Sequence, residues 1–515
     1  MVIATRYAHL IIHAIGFLTV LACISCNSKD VEKREQHRPY IHFTPPAKWM
    51  NDPNGMVFHN NTFHLFYQHY PDSTIWGPMH WAHATSSDLV TWQHQPIALY
   101  PDSLGYIFSG SAVVDSNNTS GFGKDGKAPL VAIFTHHDPV GEKEGRDDHQ
   151  FQSIAYSTDN GKTWVKYANN PVLRNPGIGG FRDPKVSWHH PSKKWIMALA
   201  TYDRITFYSS PDLKNWKKES EFGKTVGAHG GVWECPDLFP LKIGDDEVWI
   251  LIVSLNPGGP NGGSGTQYFT GKFDGRNFVA SDTLTRWIDY GPDNYAGVTW
   301  SNTGDRKIFL GWMNNWQYAN QVPTATWRGA ATLPRDLGLS KIDNSFFVKS
   351  SVSPEIQKLV TDTVRIPGVT AAGFDLTAKI PKLDGAARLS FSTSHLADFS
   401  ITLSNTQGQK VVIGFDKAGN EYYIDRTQSG KTDFEKGFAA RHNAPRISKD
   451  STTNMELYID NASVEMFADD GLTVMTAVFF PDSDYTKIVI DSPNGIPLQN
   501  LTFSKLKQQS ETTTK

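Results

Sequence analysis

Short apolar or alternating runs recur along the chain from about residue 40 onward. Typical runs cover residues 62–70, 128–135, 195–201 and 248–255. Glycine, proline, asparagine and aspartate separate the runs, and no stretch of the body keeps a helical period over a dozen residues. The pattern predicts an all-β protein.

A turn motif repeats through the first part of the chain. Serine- and aspartate-rich turns lead into Trp92, Trp164 and Trp216, and a related turn leads into Phe278. The copies are about 50–70 residues apart, which is enough for four short strands each. We therefore predict a β-propeller over residues 39–350.

The character of the chain changes near residue 350. Tryptophan stops at Trp327, and later runs such as 387–392 alternate more regularly. This predicts a β-sandwich over residues 351–508, followed by a polar tail at 509–515 with a frayed end. Because tryptophan is confined to the first part, we expect the ligand site in the propeller.

Residues 1–26 have the composition of an export signal of the lipoprotein type. Arg6 supplies a positive charge, and residues 14–24 form an apolar run that is too short to span a bilayer as a helix. Residues 27–38 are nearly all polar and are predicted to form a tether.

Cysteine placement agrees with a lipoprotein signal. Cys23 and Cys26 stand at the end of the apolar run, and Cys235 alone lies in the body of the chain. We predict that Cys26 carries the lipid, with Cys23 as the competing position. The protein is then expected to be exported and attached to a bacterial envelope membrane through its lipid anchor only. A lipidated Cys26 leaves no internal disulfide, so stability must come from the core.

Charge and composition narrow the ligand class. A net charge of −3 gives no indication of a nucleic-acid partner. Aromatic residues make up 12% of the chain, and an aromatic ring packs well against the apolar face of a sugar. The composition therefore favours a carbohydrate ligand.

Three acidic residues occur in unusual contexts. Asp52 lies in WMNDPNG, Asp183 in FRDP and Glu234 in WECPD. A nearby proline restricts the backbone and a nearby aromatic lowers the local dielectric, which together aim a carboxylate and shift its pKa. Each residue taken alone also fits a turn that binds backbone N–H groups. Three such contexts in successive blades are predicted to meet at the central channel of a propeller.

Glycoside hydrolysis requires one ionised carboxylate and one protonated carboxyl group. Asp52 is flanked by Asn51 and Asn54, whose amides hold a carboxylate ionised, so it suits the nucleophile. Glu234 lies between Trp233 and Cys235, in more apolar surroundings, and suits the acid/base.

Four motifs resemble the invertase–inulinase–levanase family of glycoside hydrolases, family 32. They are WMNDPNG (49–55), FSGS (108–111), FRDPK (181–185) and WECPDLF (233–239). SVEMFADDG (463–471) is similar to the signature of the family's C-terminal domain. The resemblance implies a catalytic five-bladed β-propeller followed by a β-sandwich, retention of configuration, and neither a metal nor another cofactor.

The resemblance also implies roles for single residues. Asp52 matches the nucleophile, Glu234 the acid/base and Asp183 the stabiliser of the transition state. Tyr295 is a weaker match to the fructose pocket. The residues that match the lining of this pocket are Asn51, Gln68, Trp76, Phe108, Ser109, Arg182 and Trp312.

The expected reaction is cleavage of β-fructosidic bonds in levan, inulin or both, and in sucrose. Residues 256–269 and 287–316 resemble exo-acting levanases and inulinases, which predicts release of fructose from chain ends. A surface-tethered enzyme would also suit endo-acting cleavage of levan into oligosaccharides, and this alternative stays open. A fructosyltransferase and a non-catalytic fructan-binding protein are further alternatives, although the presence of all three carboxylates disfavours the second.

Two other motifs carry weaker signals. His136, His137, Asp138 and His149 are close in sequence, but their spacing fits no standard metal site and is interpreted as a polar loop. The glycine-rich segment 258–265 does not precede a helical pattern, so phosphate binding is not indicated. This segment is expected to shape a loop near the site.

Overall fold

The structure, a computed structural model, describes residues 35–513. The predicted signal segment, Cys26 and most of the tether lie outside these residues. Residues from Pro39 onward form one compact unit. Within residues 35–513, no helix has the length and apolarity needed to cross a membrane.

Residues 48–352 form five antiparallel sheets. The first contains β1 (Lys48–His59), β2 (Thr62–Tyr70), β3 (His80–Ser86) and β4 (Thr91–Leu99). The second contains β5 (Tyr106–Val114), β6 (Leu130–His137), β7 (Gln150–Ser157) and β8 (Val165–Lys166), with helix α1 (Pro139–Lys143) between β6 and β7. The third contains β9 (Phe181–His189), β10 (Lys194–Thr201), β11 (Ile205–Ser210) and β12 (Lys217–Phe222).

The fourth sheet contains β13 (Val232–Ile243), β14 (Asp246–Asn256), β15 (Gly265–Phe273), β16 (Phe278–Ala280) and β17 (Arg286–Trp287). The next strands along the chain are β18 (Tyr295–Thr299), β19 (Ile308–Trp312), β20 (Trp327–Arg328), β21 (Arg335–Ile342) and β22 (Ser345–Val352). All of these except β20 form the fifth sheet.

The first strand of each sheet lies against the first strand of the next sheet, and β18 returns to β1. This closed ring confirms the predicted five-bladed β-propeller. The short strand β20 pairs in parallel with β1, so a segment from the end of the ring is hydrogen-bonded to the first blade.

Residues 360–506 form two further sheets that pack face to face as a β-sandwich. In β27, for example, Phe399, Ile401 and Leu403 are buried and the residues between them are partly exposed. Short 3₁₀ helices cover Pro354–Leu359 and Leu376–Lys379. The strands are β23 (Val360–Arg365), β24 (Val369–Ala371), β25 (Phe374–Asp375), β26 (Ala386–Thr393), β27 (Phe399–Ser404), β28 (Lys410–Asp416), β29 (Glu421–Gln428), β30 (Arg441–Pro445), β31 (Thr453–Asp460), β32 (Ser463–Ala468), β33 (Thr473–Val478), β34 (Lys487–Asp491) and β35 (Ile496–Leu506).

The polar tail differs from the frayed end expected there. Residues 510–513 form β36 (Ser510–Thr513), which pairs in parallel with β4, with Ser510 opposite Thr91. The outer edge of a sheet offers unpaired N–H and C=O groups, so a polar segment can pair with it without burying an apolar side chain.

A network of buried charged groups joins the propeller to the sandwich. Arg335 of β21 donates to Asp289 at 2.9 Å and to Glu465 of β32 at 3.1 Å. The two ring nitrogens of His42 lie 2.8 Å from Asp460 and 2.8 Å from Glu465. All five side chains are fully buried. Removal of one partner would leave a buried charge unpaired, which makes such a network costly to break.

His42 is expected to make stability depend on pH. Burial disfavours its charged form, but the hydrogen bonds and charges of Asp460 and Glu465 outweigh burial and raise the pKa of His42 to about 9. This stabilisation is fully present below the unfolded pKa of about 6.5 and is lost as pH rises through about 9. Its size is on the order of 3 kcal/mol. We therefore expect the apparent Tm to fall across this window, as measured by thermal unfolding.

The variant His42→Asn should unfold at a lower temperature at pH 6.5, the ordinary pKa of histidine, and should lose most of this pH dependence. His395→Asn, at an exposed position of the sandwich, is the matched control. If the apparent Tm of His42→Asn falls with pH as steeply as that of the parent, the dependence comes from other groups.

Candidate active site

The innermost strand of every blade contains a β-bulge at the same level of the channel. In β1, Asn51 and Asp52 together face the single residue Gln68 of β2, and β5, β9, β13 and β18 show the same two-against-one register. A bulge ends regular pairing locally and re-aims the side chains beside it. In each inner strand, two consecutive residues lie opposite a single residue of the second strand of the blade. These pairs are 51–52, 108–109, 183–184, 235–236 and 296–297.

The local sequences suit this geometry. Asp183 and Cys235 have φ of 63° and 45°, in the left-handed region that few side chains adopt. Proline follows each of them, and proline is tolerated at a bulge because no ladder N–H is needed there. Gly297 has no room for a side chain, since a Cβ would lie 2.0 Å from the Phe309 ring. The proline-containing motifs therefore specify the bulges as well as supplying carboxylates.

A cavity of about 260 Å³ opens at this end of the channel. Its lining includes the three predicted catalytic residues, Asp52, Asp183 and Glu234. It also includes the predicted substrate-binding residues Asn51, Gln68, Trp76, Phe108, Ser109 and Arg182. Six further lining residues were not identified from the sequence, namely Met79, His137, Glu142, Gln150, Asn256 and Trp316.

Asn51 and Ser109 each hold one oxygen of the Asp52 carboxylate. Asn51 Nδ2 donates to Oδ1 at 2.9 Å and Ser109 Oγ donates to Oδ2 at 2.8 Å. Trp49 Nε1 donates to Asn51 Oδ1 at 2.7 Å, which turns the amide NH₂ of Asn51 toward the carboxylate. Asn54, the other donor expected from the sequence, reaches the backbone carbonyl of Asp52 instead, at 3.2 Å.

Cys235 lies between Asp52 and Asp183. Its backbone N–H donates to Asp183 Oδ2 at 3.1 Å, and its sulfur is 3.6 Å from that oxygen and 3.5 Å from Asp52 Oδ2. Burial and the neighbouring carboxylates raise the pKa of the Cys235 thiol well above its ordinary value. The thiol therefore remains a neutral donor that both carboxylates contact.

Glu234 is in a more polar environment than its sequence neighbours suggested. Arg182 donates to Glu234 Oε1 from Nε at 3.1 Å and from Nη2 at 2.8 Å. The hydroxyl of Tyr295 donates to Oε2, and burial holds the pKa of Tyr295 well above its ordinary value, so it remains a donor. Trp233 is fully buried in the core of the blades and makes no part of the cavity lining. Successive side chains of a strand point to opposite faces, so Trp233 packs into the core while Glu234 faces the cavity. The apolar neighbour in the sequence is therefore not a neighbour of the carboxylate in space.

Arg182 lies 2.8 Å from Glu234 and 4.0 Å from Asp183, and Asp52 completes the group of buried carboxylates. Burial raises the pKa of Asp183 to about 7, with Arg182 opposing the rise and the charges of Glu234 and Asp52 adding to it. Burial and Glu234 likewise raise the pKa of Asp52, while hydrogen bonds from Asn51 and Ser109 oppose this rise. Because neighbouring buried carboxylates repel one another, one group can stay protonated while another is ionised. Nucleophilic attack assisted by an acid requires this combination.

Trp312 does not reach the cavity. It is fully buried, with ring centroids 5.9 Å from Trp49 and 4.9 Å from Trp316. Trp316, in the turn after β19, lines the cavity in its place. Trp312 belongs to the second strand of its blade, opposite Tyr295, where side chains pack into the core.

The remaining lining combines polar donors with aromatic faces. Within the described residues, the buried atom Gln68 Nε2 has no hydrogen-bond partner, so it is available to a ligand. Trp76, which is 39% exposed, lies edge-on to Phe108 with ring centroids 6.1 Å apart. Such a lining can accept hydroxyls on one side of a sugar ring and its apolar face on the other.

The two weaker motifs lie beside this cavity. His136 Nδ1 is 2.7 Å from Ser153 Oγ, and Asp138 caps α1. His137 and His149 instead approach Glu142, and one ligand atom of each lies within 4.8 Å of the others. In the glycine-rich segment, Ser264 Oγ accepts the Trp316 N–H at 3.2 Å, so this segment supports the cavity wall.

Comparison with known proteins extends these observations over the whole propeller and sandwich. The profile of the glycosyl hydrolases family 32 N-terminal domain matches residues 42–350, and that of the family 32 C terminal matches residues 352–508. A levanase of Bacillus subtilis is 43% identical over 493 residues, which cover 93% of this chain and 72% of the levanase. An extracellular exo-inulinase of Aspergillus niger is 41% identical over 504 residues, which cover 90% of this chain and 93% of the exo-inulinase.

Solved structures share the architecture. The exo-inulinase from Aspergillus awamori matches with a TM-score of 0.84 at 36% identity, over 92% of this chain and 99% of the other. A β-fructofuranosidase from Schwanniomyces occidentalis, complexed with fructosyl-erythritol, matches with a TM-score of 0.82 at 33% identity, over 92% and 98%. The chain therefore belongs to glycoside hydrolase family 32, whose members include levanases, inulinases and invertases.

Proposed function

We propose that the protein is a retaining, exo-acting β-fructosidase that releases fructose from levan, inulin or both, and from sucrose. The observation that carries the proposal is the convergence of carboxylates from three inner strands, β1, β9 and β13, in one small cavity. The activities named for the relatives, a levanase and exo-inulinases, support the same substrate class.

The proposed reaction uses the three carboxylates in different roles. Asp52 attacks the anomeric carbon of the terminal fructosyl residue while Glu234 protonates the leaving oxygen. Glu234 then accepts a proton from water, which attacks the covalent intermediate and releases fructose. Asp183 accepts hydrogen bonds from fructose hydroxyls, and these strengthen as positive charge develops on the ring.

Neighbouring side chains orient this chemistry. Asn51 and Ser109 hold both oxygens of Asp52, so the carboxylate does not rotate freely. Arg182 and Tyr295 each hold one oxygen of Glu234. Positioning of this kind lowers the barrier because little reorganisation is left for the transition state.

The size of the cavity supports exo attack. At about 260 Å³ it is slightly smaller than the roughly 300–1,000 Å³ that is common for small-molecule sites. Trp76, Phe108 and Trp316 form aromatic walls around it. A pocket of this size accommodates one terminal sugar, whereas endo attack requires a cleft that continues on both sides of the cleaved bond.

We further propose that the protein is exported and anchored through a lipid on Cys26. The sequence of residues 1–26 supports this, as does the description of the exo-inulinase relatives as extracellular. Incorporation of labelled fatty acid that is lost in Cys26→Ala is the test. Loss in Cys23→Ala alone would move the lipid to that residue. If the parent protein itself incorporates no labelled fatty acid, the segment is an ordinary cleaved signal.

Asp52→Ala and Glu234→Ala should each lower the rate on levan, inulin and sucrose by at least about 100-fold, because each removes one chemical group of the mechanism. Reducing-sugar assays measure the rate, and thermal unfolding checks that the fold is kept. Asp246→Ala, which removes an exposed carboxylate paired with Lys341, is the control. Retention of more than about a tenth of the parent rate by either variant would contradict the assigned roles.

Ser109→Ala should move the acid limb of kcat/KM to higher pH. Activity needs ionised Asp52 and therefore falls as pH drops through the pKa of Asp52. The hydrogen bond from Ser109 lowers this pKa, so the loss of the hydrogen bond raises the pKa. The measurement is the pH profile of kcat/KM on sucrose.

Ser111→Ala is the control for this profile, because Ser111 lies on the same strand but bonds to the backbone of Pro184 and Val186. An acid limb that stays in place in Ser109→Ala would show that Asp52 does not set it.

Early digestion of long levan and long inulin should release fructose as the sole product. The expectation follows from a pocket that holds one terminal residue, and product chromatography over a time course measures it. A ladder of oligosaccharides that precedes free fructose would instead establish endo attack.

A further inference from the structure

The loop between β6 and β7 brings one acid to the cavity that the proposed mechanism does not use. Glu142, on α1, lines the cavity although its side chain is 60% exposed. Arg146 is bonded to Asp138 and Asp148, so the loop is closed on itself. Asn175 donates to the backbone carbonyl of Asp147 at 3.0 Å, which fastens the loop to the chain before β9. Glu142 is therefore presented by an ordered loop.

His137 holds Glu142 in place. His137 Nε2 lies 3.1 Å from Glu142 Oε2, and His137 Nδ1 lies 3.3 Å from Gln150 Nε2. The Gln150 oxygen accepts the Phe181 N–H at 3.0 Å, which turns the amide NH₂ of Gln150 toward His137. His137 Nδ1 is consequently an acceptor, and the ring proton on Nε2 is donated to Glu142. The His137 ring also stacks on Phe108, with centroids 4.3 Å apart.

The same chain of contacts reaches the proposed acid/base. Arg182 Nη1 is 3.4 Å from the Gln150 oxygen, and Arg182 Nη2 donates to Glu234 at 2.8 Å. Glu142 is thus connected to Glu234 through His137, Gln150 and Arg182, and its 60% exposure places it at the mouth of the cavity. In the proposed function the terminal fructose fills the pocket, so the departing sugar extends toward this mouth.

We propose that Glu142 binds hydroxyls of the leaving-group sugar and thereby determines specificity, with His137 as its positioning residue. The inference rests on the proposed function. A carboxylate accepts several hydrogen bonds, so Glu142 can bind a sugar hydroxyl while it accepts the proton of His137. A charged acceptor binds a hydroxyl more strongly than a neutral one does, which gives this contact weight even at the exposed mouth of the cavity.

A metal ion is the competing occupant of these side chains. His137, Glu142 and His149 lie close enough together to bind one ion. The sugar-binding role is favoured because both ring nitrogens of His137 are already engaged, with an N–H rather than a lone pair facing Glu142.

Glu142→Gln tests the proposal because it removes the charge and keeps the shape. The two substrates are sucrose and methyl β-D-fructofuranoside, whose methanol leaving group carries no further hydroxyl. We expect kcat/KM to fall roughly tenfold on sucrose, mainly through KM, and to stay within about twofold on the methyl fructoside. Glu144→Gln, on the same loop but outside the cavity lining, should change neither value.

His137→Phe keeps a ring against Phe108 but removes the N–H that holds Glu142, so it should show the same selective loss to a smaller degree. Equal losses on both substrates, or no loss on either, would overturn the role of Glu142. Inhibition of the parent by EDTA, reversed by Zn²⁺, would assign the three side chains to a metal and also overturn it. A parent protein that cleaves neither substrate would refute the proposed function itself, which separates the two failures.

Discussion

Each inner strand of the propeller must stay hydrogen-bonded to its blade along most of its length and break that pairing at one shared level. The break costs backbone strain at Asp183 and Cys235. Surrounding contacts hold the strained conformation, because the Asp183 N–H donates to Thr135 Oγ1 at 3.0 Å. Below the cavity, Asp237 accepts the Thr299 N–H at 2.6 Å and pairs with Lys185 at 3.0 Å, which ties three blades together. The arrangement of the carboxylates follows from this constraint on the backbone.

Most of the fold could be predicted from the sequence because its signals are local. Alternation marks the strands, and the repeated turns before Trp92, Trp164 and Trp216 mark the blades. The strand at 510–513 gave no such signal, since a polar segment pairs with an edge through backbone groups that every residue has. The network around Arg335 and His42 also joins residues that are 46 to 423 positions apart, and no local pattern indicates their contact.

The residues of the candidate site were predictable where one sequence motif contains both the reactive side chain and the residues that shape the backbone around it. Asp52, Asp183 and Glu234 stand out because the bulges that aim them require proline or other unusual residues beside them. Trp316, Gln150 and Glu142 come from a turn, a third strand and a loop, where the local sequence carries no mark of the cavity. The surroundings of Glu234 were misjudged for a related reason, since strand alternation sends its sequence neighbour Trp233 into the core.

The first blade is the one blade whose sheet takes strands from distant parts of the described chain. β20 pairs with its inner strand and β36 with its outer strand. Whether the chain emerges from a ribosome or from a translocation channel, β1 and β4 appear long before these partners do. Both edges of the nascent blade therefore remain open to strands of other molecules, and a chaperone that shields them until residue 513 has emerged would protect the folding intermediate from misassembly.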